Sequence, residues 1–259
     1  MWTRSELKSR AKYNLGRYYW TALLVCFITV LLGGGNGGTT AGSTGSSINN
    51  VSEQGYHGEF SEAAYTVMAI VGVVILVFAI ILFLLTIFVG GPVQVGQKRF
   101  FMESRDMEVG NAGVGRIFYS FSGGRYWNTV KVMLLRNVFI FLWSLLFVVP
   151  GIIKAYEYCM VPYILSENPD IHYKDALNLS KQMMYGQKMN VFVLEISFIG
   201  WELLGAMACG IGIYFVLPYI EATMAELYAL LRTTVPGDQL PGFGIIEEYV
   251  EQEPTDYYY

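Results

Sequence analysis

Four carboxylates lie in an otherwise apolar stretch near the end of the chain, at Glu195, Glu202, Glu221 and Glu226. A charged side chain in the middle of a bilayer costs about 2.5–3.5 kcal/mol on insertion scales, so acids in such a segment need a compensating partner or a function. Carboxylates in a polar cavity at this depth could bind a cation, exchange a proton or hold an amine-bearing substrate.

The spacing of these acids places them at two levels of a helical hairpin. Glu195 and Glu202 are seven residues apart, so they share one helix face at a separation of about 10 Å along the axis. Counted from the glycine turn at 210–212, Glu202 and Glu221 lie at similar depths. The same count pairs Glu195 with Glu226.

Few cations are available to neutralise these acids. Arg136 lies near the middle of an apolar segment, and Lys154 lies one turn from Glu157, its candidate ion-pair partner. One interpretation is structural, with Arg136 pairing with Glu195 or Glu202 and fixing helix packing. The alternatives are a hydrated cavity that binds a cation, a proton or an amine, and a site for a lipid headgroup or a peptide.

The composition indicates that these residues belong to a membrane protein. The 259-residue chain is 54% hydrophobic and 15% charged, whereas soluble domains average about 45–50% and about 25%. A bilayer is crossed by about 20 apolar residues. Six segments are predicted to cross it, some of them short: 18–32, 63–89, 127–149, 152–165, 190–209 and 211–231.

The distribution of basic residues predicts the orientation. Lys and Arg precede the first span, lie between the second and third and between the fourth and fifth, and follow the sixth. By the positive-inside rule both termini are cytoplasmic. Segment 33–61 has no Lys or Arg and is predicted to be a flexible external loop. Residues 1–235 then form one six-span domain, followed by an acidic, Tyr-rich cytoplasmic tail at 236–259.

The first span has a competing interpretation as a cleaved signal peptide, which we disfavour. Its basic region is long for a signal peptide, and no clear small-residue cleavage site follows Leu32.

Similar sequences precede the first, third and fifth spans, beginning at Leu15, Gly123 and Tyr185. An amphipathic stretch comes before each of them, at 5–14, 114–122 and 173–184. We predict three copies of one unit: an interfacial helix, a glycine turn, a span and a returning span with a proline. Chance similarity between membrane flanks is the alternative. Helix breaks are predicted at Pro150, Gly151, Pro162 and Pro218.

No catalytic or metal-binding constellation is recognisable in the sequence. Cys26, Cys159 and Cys209 lie in or beside apolar segments, without the spacing of a zinc site or a disulfide framework. His57 and His172 fall in loops on opposite sides. No phosphate-binding glycine loop or nucleophile elbow is found. We therefore expect a protein that is not an enzyme, has no cofactor or metal and binds no nucleic acid.

The string LEISFIGWELLGAMACGIGIYFVLPYIEATMAELY at 194–228 resembles the C-terminal signature of the domain of unknown function 975 family, which are bacterial multi-pass membrane proteins. The blocks ELKSRAKYNLGRYYW, PGIIKAYEYCMVPYILSENP and ALNLSKQMMYGQK are similar to the family as well. The resemblance implies a topology and a cell-membrane location, and no settled activity. Glu195 belongs to the shared signature, whereas Glu202 and Glu221 depart from it.

The sequence thus predicts an all-α membrane protein of three helical hairpins in the bacterial cell membrane. The first functional hypothesis is a non-enzymatic accessory or lipid-interacting bundle whose partners are membrane lipids. The second is a small transporter or exporter that uses Glu195, Glu202 and Glu221. Protein partners and the oligomeric state are not determined by the sequence.

Overall fold

A computed structural model describes residues 3–32, 62–107, 112–207 and 212–235, and every regular element in these ranges is helical. The all-α class is thereby confirmed for this part of the chain, whereas the predicted external loop and acidic tail lie outside it. The α-helices are α1 Arg4–Leu31, α2 Glu62–Leu85, α3 Gly91–Asp106, α4 Tyr126–Leu146, α5 Val148–Glu157, α6 Val161–Glu167, α7 Tyr173–Met183, α8 Lys188–Met207 and α9 Gly212–Arg232. A π-helical turn, Thr86–Gly90, joins α2 to α3, and a 3-10 helix, Val114–Phe121, follows α3.

Four helices of the described ranges are long and apolar enough to cross a membrane: α1, the continuous helix Tyr65–Asp106, α4 and α8. They indicate a membrane protein. The predicted fourth span is divided into α5 and α6, and the predicted sixth span is the single helix α9, which carries Glu221 and Glu226. Neither of these two is among the four helices.

The helix breaks differ from the predicted ones at two of three places. The chain leaves the helical conformation at Phe147, so Pro150 and Gly151 lie inside the first turns of α5. A proline is tolerated there because the first N–H groups of a helix have no partner within the helix. Pro162 does follow a break, at the start of α6. Pro218 lies within α9, which continues through it, as membrane helices packed by neighbours often do.

The second predicted span extends much further than its apolar segment. The helix Tyr65–Asp106 has 42 residues, a length of about 63 Å at 1.5 Å per residue, roughly twice the bilayer core. Every described side chain of α2 is exposed, whereas α3 is mostly buried although its sequence is polar. The π-helical turn and Pro92 lie where the exposed half becomes the buried half.

The core forms around α3 and α9. Helix α1 packs against α9 and α3, α3 against α6 and the 3-10 helix, α4 against α5, and α8 against α9. The last contact depends on glycine, because a Cβ added at Gly205 would lie 2.7 Å from the carbonyl carbon of Gly212. The backbones of α8 and α9 therefore approach each other closely at these two glycines.

The predicted repeat unit is matched unevenly. Its glycine turn has positive φ at Gly123, Gly124 and Gly186, ahead of the third and fifth predicted spans. In the first unit Gly16 lies inside α1, and the chain kinks at Tyr18 instead. The 3-10 helix and α7 occupy the second and third amphipathic stretches. The triplication itself stays a prediction.

Candidate functional site

A cavity of about 430 Å³ opens between α4, α5 and α8, with α3, α6 and α9 completing its wall. Its volume falls in the usual range for small-ligand sites, about 300–1,000 Å³. Its lining is part polar and part apolar. The polar and ionisable residues of the wall are Lys98, Arg136, Asn137, Tyr156, Cys159, Tyr163 and Glu195.

Arg136, on α4, is bound by neutral oxygen atoms. Its Nε donates to the carbonyl oxygen of Tyr158 at 2.8 Å, and its Nη1 lies 3.4 Å from Oδ1 of Asn137. Tyr158 lies in the turn between α5 and α6, and the residue four positions later is Pro162, which has no N–H to donate. The carbonyl accepts from the N–H of Val161 at 3.3 Å, and its second lone pair accepts from the arginine.

The predicted pairing of Arg136 with Glu195 or Glu202 does not form. Among the described residues no carboxylate lies within the 4.0 Å of an ion pair from the Arg136 guanidinium. The break after α5 supplies a competing acceptor that the sequence pattern did not reveal. Arg136 thus lines the cavity with a positive charge that no described acid neutralises.

Glu195, on α8, lines the same cavity and accepts a hydrogen bond from the hydroxyl of Tyr156 at its Oε2. No described lysine or arginine forms an ion pair with it. Glu202 lies two turns further along α8 and is not part of the cavity wall. Within the described ranges it forms no hydrogen bond or ion pair. The predicted helix face is therefore present, and only its first carboxylate reaches the site.

Glu221 has a partner that the sequence analysis missed. Its carboxylate forms an ion pair with the ammonium of Lys98, and the two side chains are 6% and 2% exposed. This pair joins α9 to α3. The sequence analysis places Lys98 between the second and third spans, as one of the basic residues that set the orientation. The apolar Phe100, Phe101 and Met102, which follow it and are buried in α3, are the signal that could have identified a buried helix.

Lys154 and Glu157 are paired, as the one-turn spacing suggested. The Lys154 Nζ lies 2.6 Å from Oε2 of Glu157, and the Lys188 Nζ lies 2.5 Å from the other oxygen. Lys188 had not been expected in this cluster. The shared carboxylate connects α5, which carries Tyr156, to the first residue of α8, the helix that carries Glu195.

A charge network forms one end of the bundle. Glu226 accepts from Asn14 at 2.8 Å and lies 3.1 Å from Nε of Arg105. Glu167 accepts from Arg232 and from the Tyr228 hydroxyl, both at 2.8 Å. Burial raises the pKa of the Glu167 carboxyl, and the charge of Arg232 acts against that rise. Each of these acids therefore has a defined partner.

The hydroxyl of Tyr163 is the exception among the buried polar groups of the wall. Tyr163 is 1% exposed and stacks on Tyr228 with ring centroids 5.1 Å apart. Its hydroxyl has no hydrogen-bond partner among the described residues, although buried hydroxyl groups nearly always have one. The Tyr228 hydroxyl, by contrast, is bonded to Glu167.

The site therefore offers one guanidinium and one carboxyl group to a ligand. Lys98 is neutralised by Glu221, which leaves Arg136 and Glu195 as the charged groups of the described wall without an ionic partner. Within the described residues there is no group of three His, Cys, Asp or Glu side chains that could hold a metal ion.

Comparison with known proteins gives a family match over part of the chain and no activity. No curated protein matches the chain, and no solved structure matches it. Residues 145–234, about a third of the chain, match the family described as protein of unknown function (DUF975). This region contains α5 to α9 and with them Glu195 and Tyr163, whereas Lys98 and Arg136 precede it. The match confirms, in this part of the chain, the resemblance seen in the sequence.

Proposed function

We propose that this protein is a non-enzymatic, lipid-interacting helical bundle of the bacterial cell membrane, and that its cavity receives the anionic part of a lipid headgroup. The observation that carries the proposal is Arg136, whose charge faces the cavity with neutral oxygens as its described partners. A cation held at membrane depth is stabilised by an anion that comes to it.

The exposed residues of the cavity wall favour a ligand that arrives from the bilayer. Asn137 is exposed, and Ile152 is 49% exposed. They belong to a surface of α4 and α5 that also carries the exposed apolar residues Phe141 and Val149. Acyl chains lying on that surface would leave the headgroup next to Arg136. Basic pockets between membrane helices bind lipid headgroups in this manner.

The topology that accompanies this proposal has six spans with both termini in the cytoplasm. Helix α9 supports it with 21 residues, a length of about 31 Å that matches the bilayer core. The helices α5 and α6 together would make the return from α4. A cysteine introduced at Tyr185, which is 84% exposed, should then react only from the cytoplasmic side. One at Ser43 should react only from outside, and the reverse pattern would overturn the orientation.

The lipid proposal is tested by measuring which phospholipids stay bound to the purified protein. The protein is extracted from bacterial membranes in a mild detergent, and retained lipid is counted by native mass spectrometry. We expect the wild type to retain phospholipid and Arg136→Gln to lose most of it. Lys131→Gln, an exposed cation on the same helix, is the matched control. Equal retention by all three proteins would reject the proposal.

A transporter is the second candidate, and the observation that favours it is a cavity with opposite charges inside a helical bundle. Its residues differ from the predicted ones, because Glu221 is neutralised by Lys98 and Glu202 is outside the wall. Glu195 would be the carboxylate on the path. Flux of small cations and amines into proteoliposomes, compared between wild type and Glu195→Gln, tests it. If the wild type moves none of them, this candidate is rejected.

A further inference from the structure

We infer that the cavity recognises a zwitterion with a phosphate-like anion and a primary ammonium group, and that its source is an intact aminophospholipid. The inference rests on the proposed function and specifies the ligand of the same site. Arg136 takes the anion and Glu195 takes the ammonium.

The charged residues of the cavity wall are the reason for proposing a zwitterionic ligand. Lys98 and Glu221 form a neutral pair, so they contribute no net charge to a ligand. Arg136 and Glu195 lie on the same wall without an ion pair between them. A purely anionic ligand would be attracted by Arg136 and repelled by Glu195. A purely cationic ligand would be attracted by Glu195 and repelled by Arg136. A molecule with one group of each sign satisfies both.

The hydrogen-bonding capacity that remains at each residue fits this assignment. A guanidinium has five N–H donors in a planar fork that matches two oxygens of a phosphate or carboxylate. Tyr158 and Asn137 occupy two of the five donors of Arg136. Glu195 accepts from Tyr156 at Oε2, which leaves Oε1 for an ammonium. The aromatic ring of Tyr156, which lines the wall, also favours a cation nearby.

The test measures the affinity of the purified full chain for two short-chain phospholipids that differ in the headgroup. Dihexanoyl phosphatidylethanolamine carries the phosphate and the ammonium, whereas dihexanoyl phosphatidylglycerol carries the phosphate alone. We expect the wild type to prefer the first by about tenfold, the effect of one charge-assisted hydrogen bond. Phosphatidylglycerol bound as tightly as phosphatidylethanolamine would overturn the zwitterion inference and leave the proposed lipid function standing. Binding of neither lipid would reject both.

Three variants separate the contribution of Arg136 to binding from that of Glu195. Glu195→Gln should bind both lipids with similar affinity, because it loses only the ammonium contact. Arg136→Gln should weaken both, and Arg136→Lys should restore part of the binding. Glu202→Gln, two turns further along the same helix, is the matched control and should keep the preference. A preference that survives in Glu195→Gln contradicts the assignment.

Soluble phosphoethanolamine distinguishes the two sources of this chemistry. As a competitor at the lipid's own effective concentration it should displace little lipid, because it lacks the acyl chains that lie on α4 and α5. Displacement as strong as that by the lipid would replace the lipid with a soluble zwitterion as the ligand. Each variant is first checked for cooperative thermal unfolding, so that loss of binding is not loss of fold.

Discussion

Lys98 and Arg136 are both cations that line the same cavity, and they differ in their partners. Lys98 is buried and forms an ion pair with Glu221 between α3 and α9. Arg136 donates to the carbonyl of Tyr158 on a neighbouring turn and has no acid among its described partners. The first cation connects two core helices, and the second keeps a positive charge available to a ligand.

The same contrast separates the stacked tyrosines and the regions around them. Tyr228 belongs to the network at one end of the bundle, where Glu167 and Arg232 complete its hydrogen bonding. Tyr163 belongs to the cavity, where its hydroxyl has no described partner. The Tyr228 hydroxyl stabilises the fold, whereas the Tyr163 hydroxyl costs stability because it is buried without a described partner. Mutations of the two tyrosines should therefore differ in size and in sign.

The largest expected effect is the loss of one partner of the buried ion pair. Lys98→Met leaves the Glu221 carboxylate without its cation and should destabilise the protein by about 3–5 kcal/mol. Thermal or denaturant unfolding of the purified protein measures it. The double variant Lys98→Met with Glu221→Met should recover most of the loss, because it removes both charges. No recovery would mean that the two residues act separately.

A smaller loss is expected at the network tyrosine. Tyr228→Phe removes the hydrogen bond to Glu167 and should cost about 1.5–3 kcal/mol, the usual value for a bond to a charged group. The ring and its stacking on Tyr163 stay in place. Unchanged unfolding in this variant would show that Arg232 alone satisfies Glu167.

Arg136→Gln should change stability by less than about 1.5 kcal/mol, because the loss of its charge-assisted hydrogen bonds is offset by relief of the desolvation of a cation without an acid partner. The same unfolding measurement, made without added lipid, gives the comparison with Lys98→Met. A loss as large as that of Lys98→Met would indicate that Arg136 is part of the fold's own charge pairing, against our account.

The smallest effect is expected at Tyr163. Tyr163→Phe removes a hydroxyl that has no described partner, so the lipid-free protein should be unchanged or slightly more stable. Destabilisation comparable to that of Tyr228→Phe would show that the Tyr163 hydroxyl has a partner in the folded protein.

Hydropathy predicted the helical class and the membrane character and misjudged burial. It placed α2 correctly as an apolar helix, and every described side chain of α2 is exposed. It assigned the polar α3 to a loop, and α3 is among the most buried elements. In a membrane protein apolar side chains can face lipid on all sides, so polarity in a long helix is the better sign of protein contacts.

The candidate site was predicted in its residue types and only partly in its pairing. Glu195 and Arg136 were identified from their charge in apolar segments, and both line the cavity. They do not pair because the turn after α5 supplies another acceptor: the Tyr158 carbonyl accepts a hydrogen bond from Arg136. The Lys98–Glu221 pair joins residues far apart in sequence, and no local pattern encodes such a contact.

The most direct test of the account uses Cys159, which lines the cavity, as a reporter of charge. With Cys26 and Cys209 replaced by alanine, its rates of reaction with an anionic and a cationic methanethiosulfonate reagent are each divided by the rate for a free thiol in solution. We predict that the ratio of anionic to cationic rates falls about thirtyfold in Arg136→Gln and rises about thirtyfold in Glu195→Gln, because a unit charge about 4 Å away in water changes each of the two rates about fivefold in opposite directions. Glu202→Gln should leave it unchanged. A ratio unaffected by both substitutions would contradict the claim that Arg136 and Glu195 present opposite charges to one cavity.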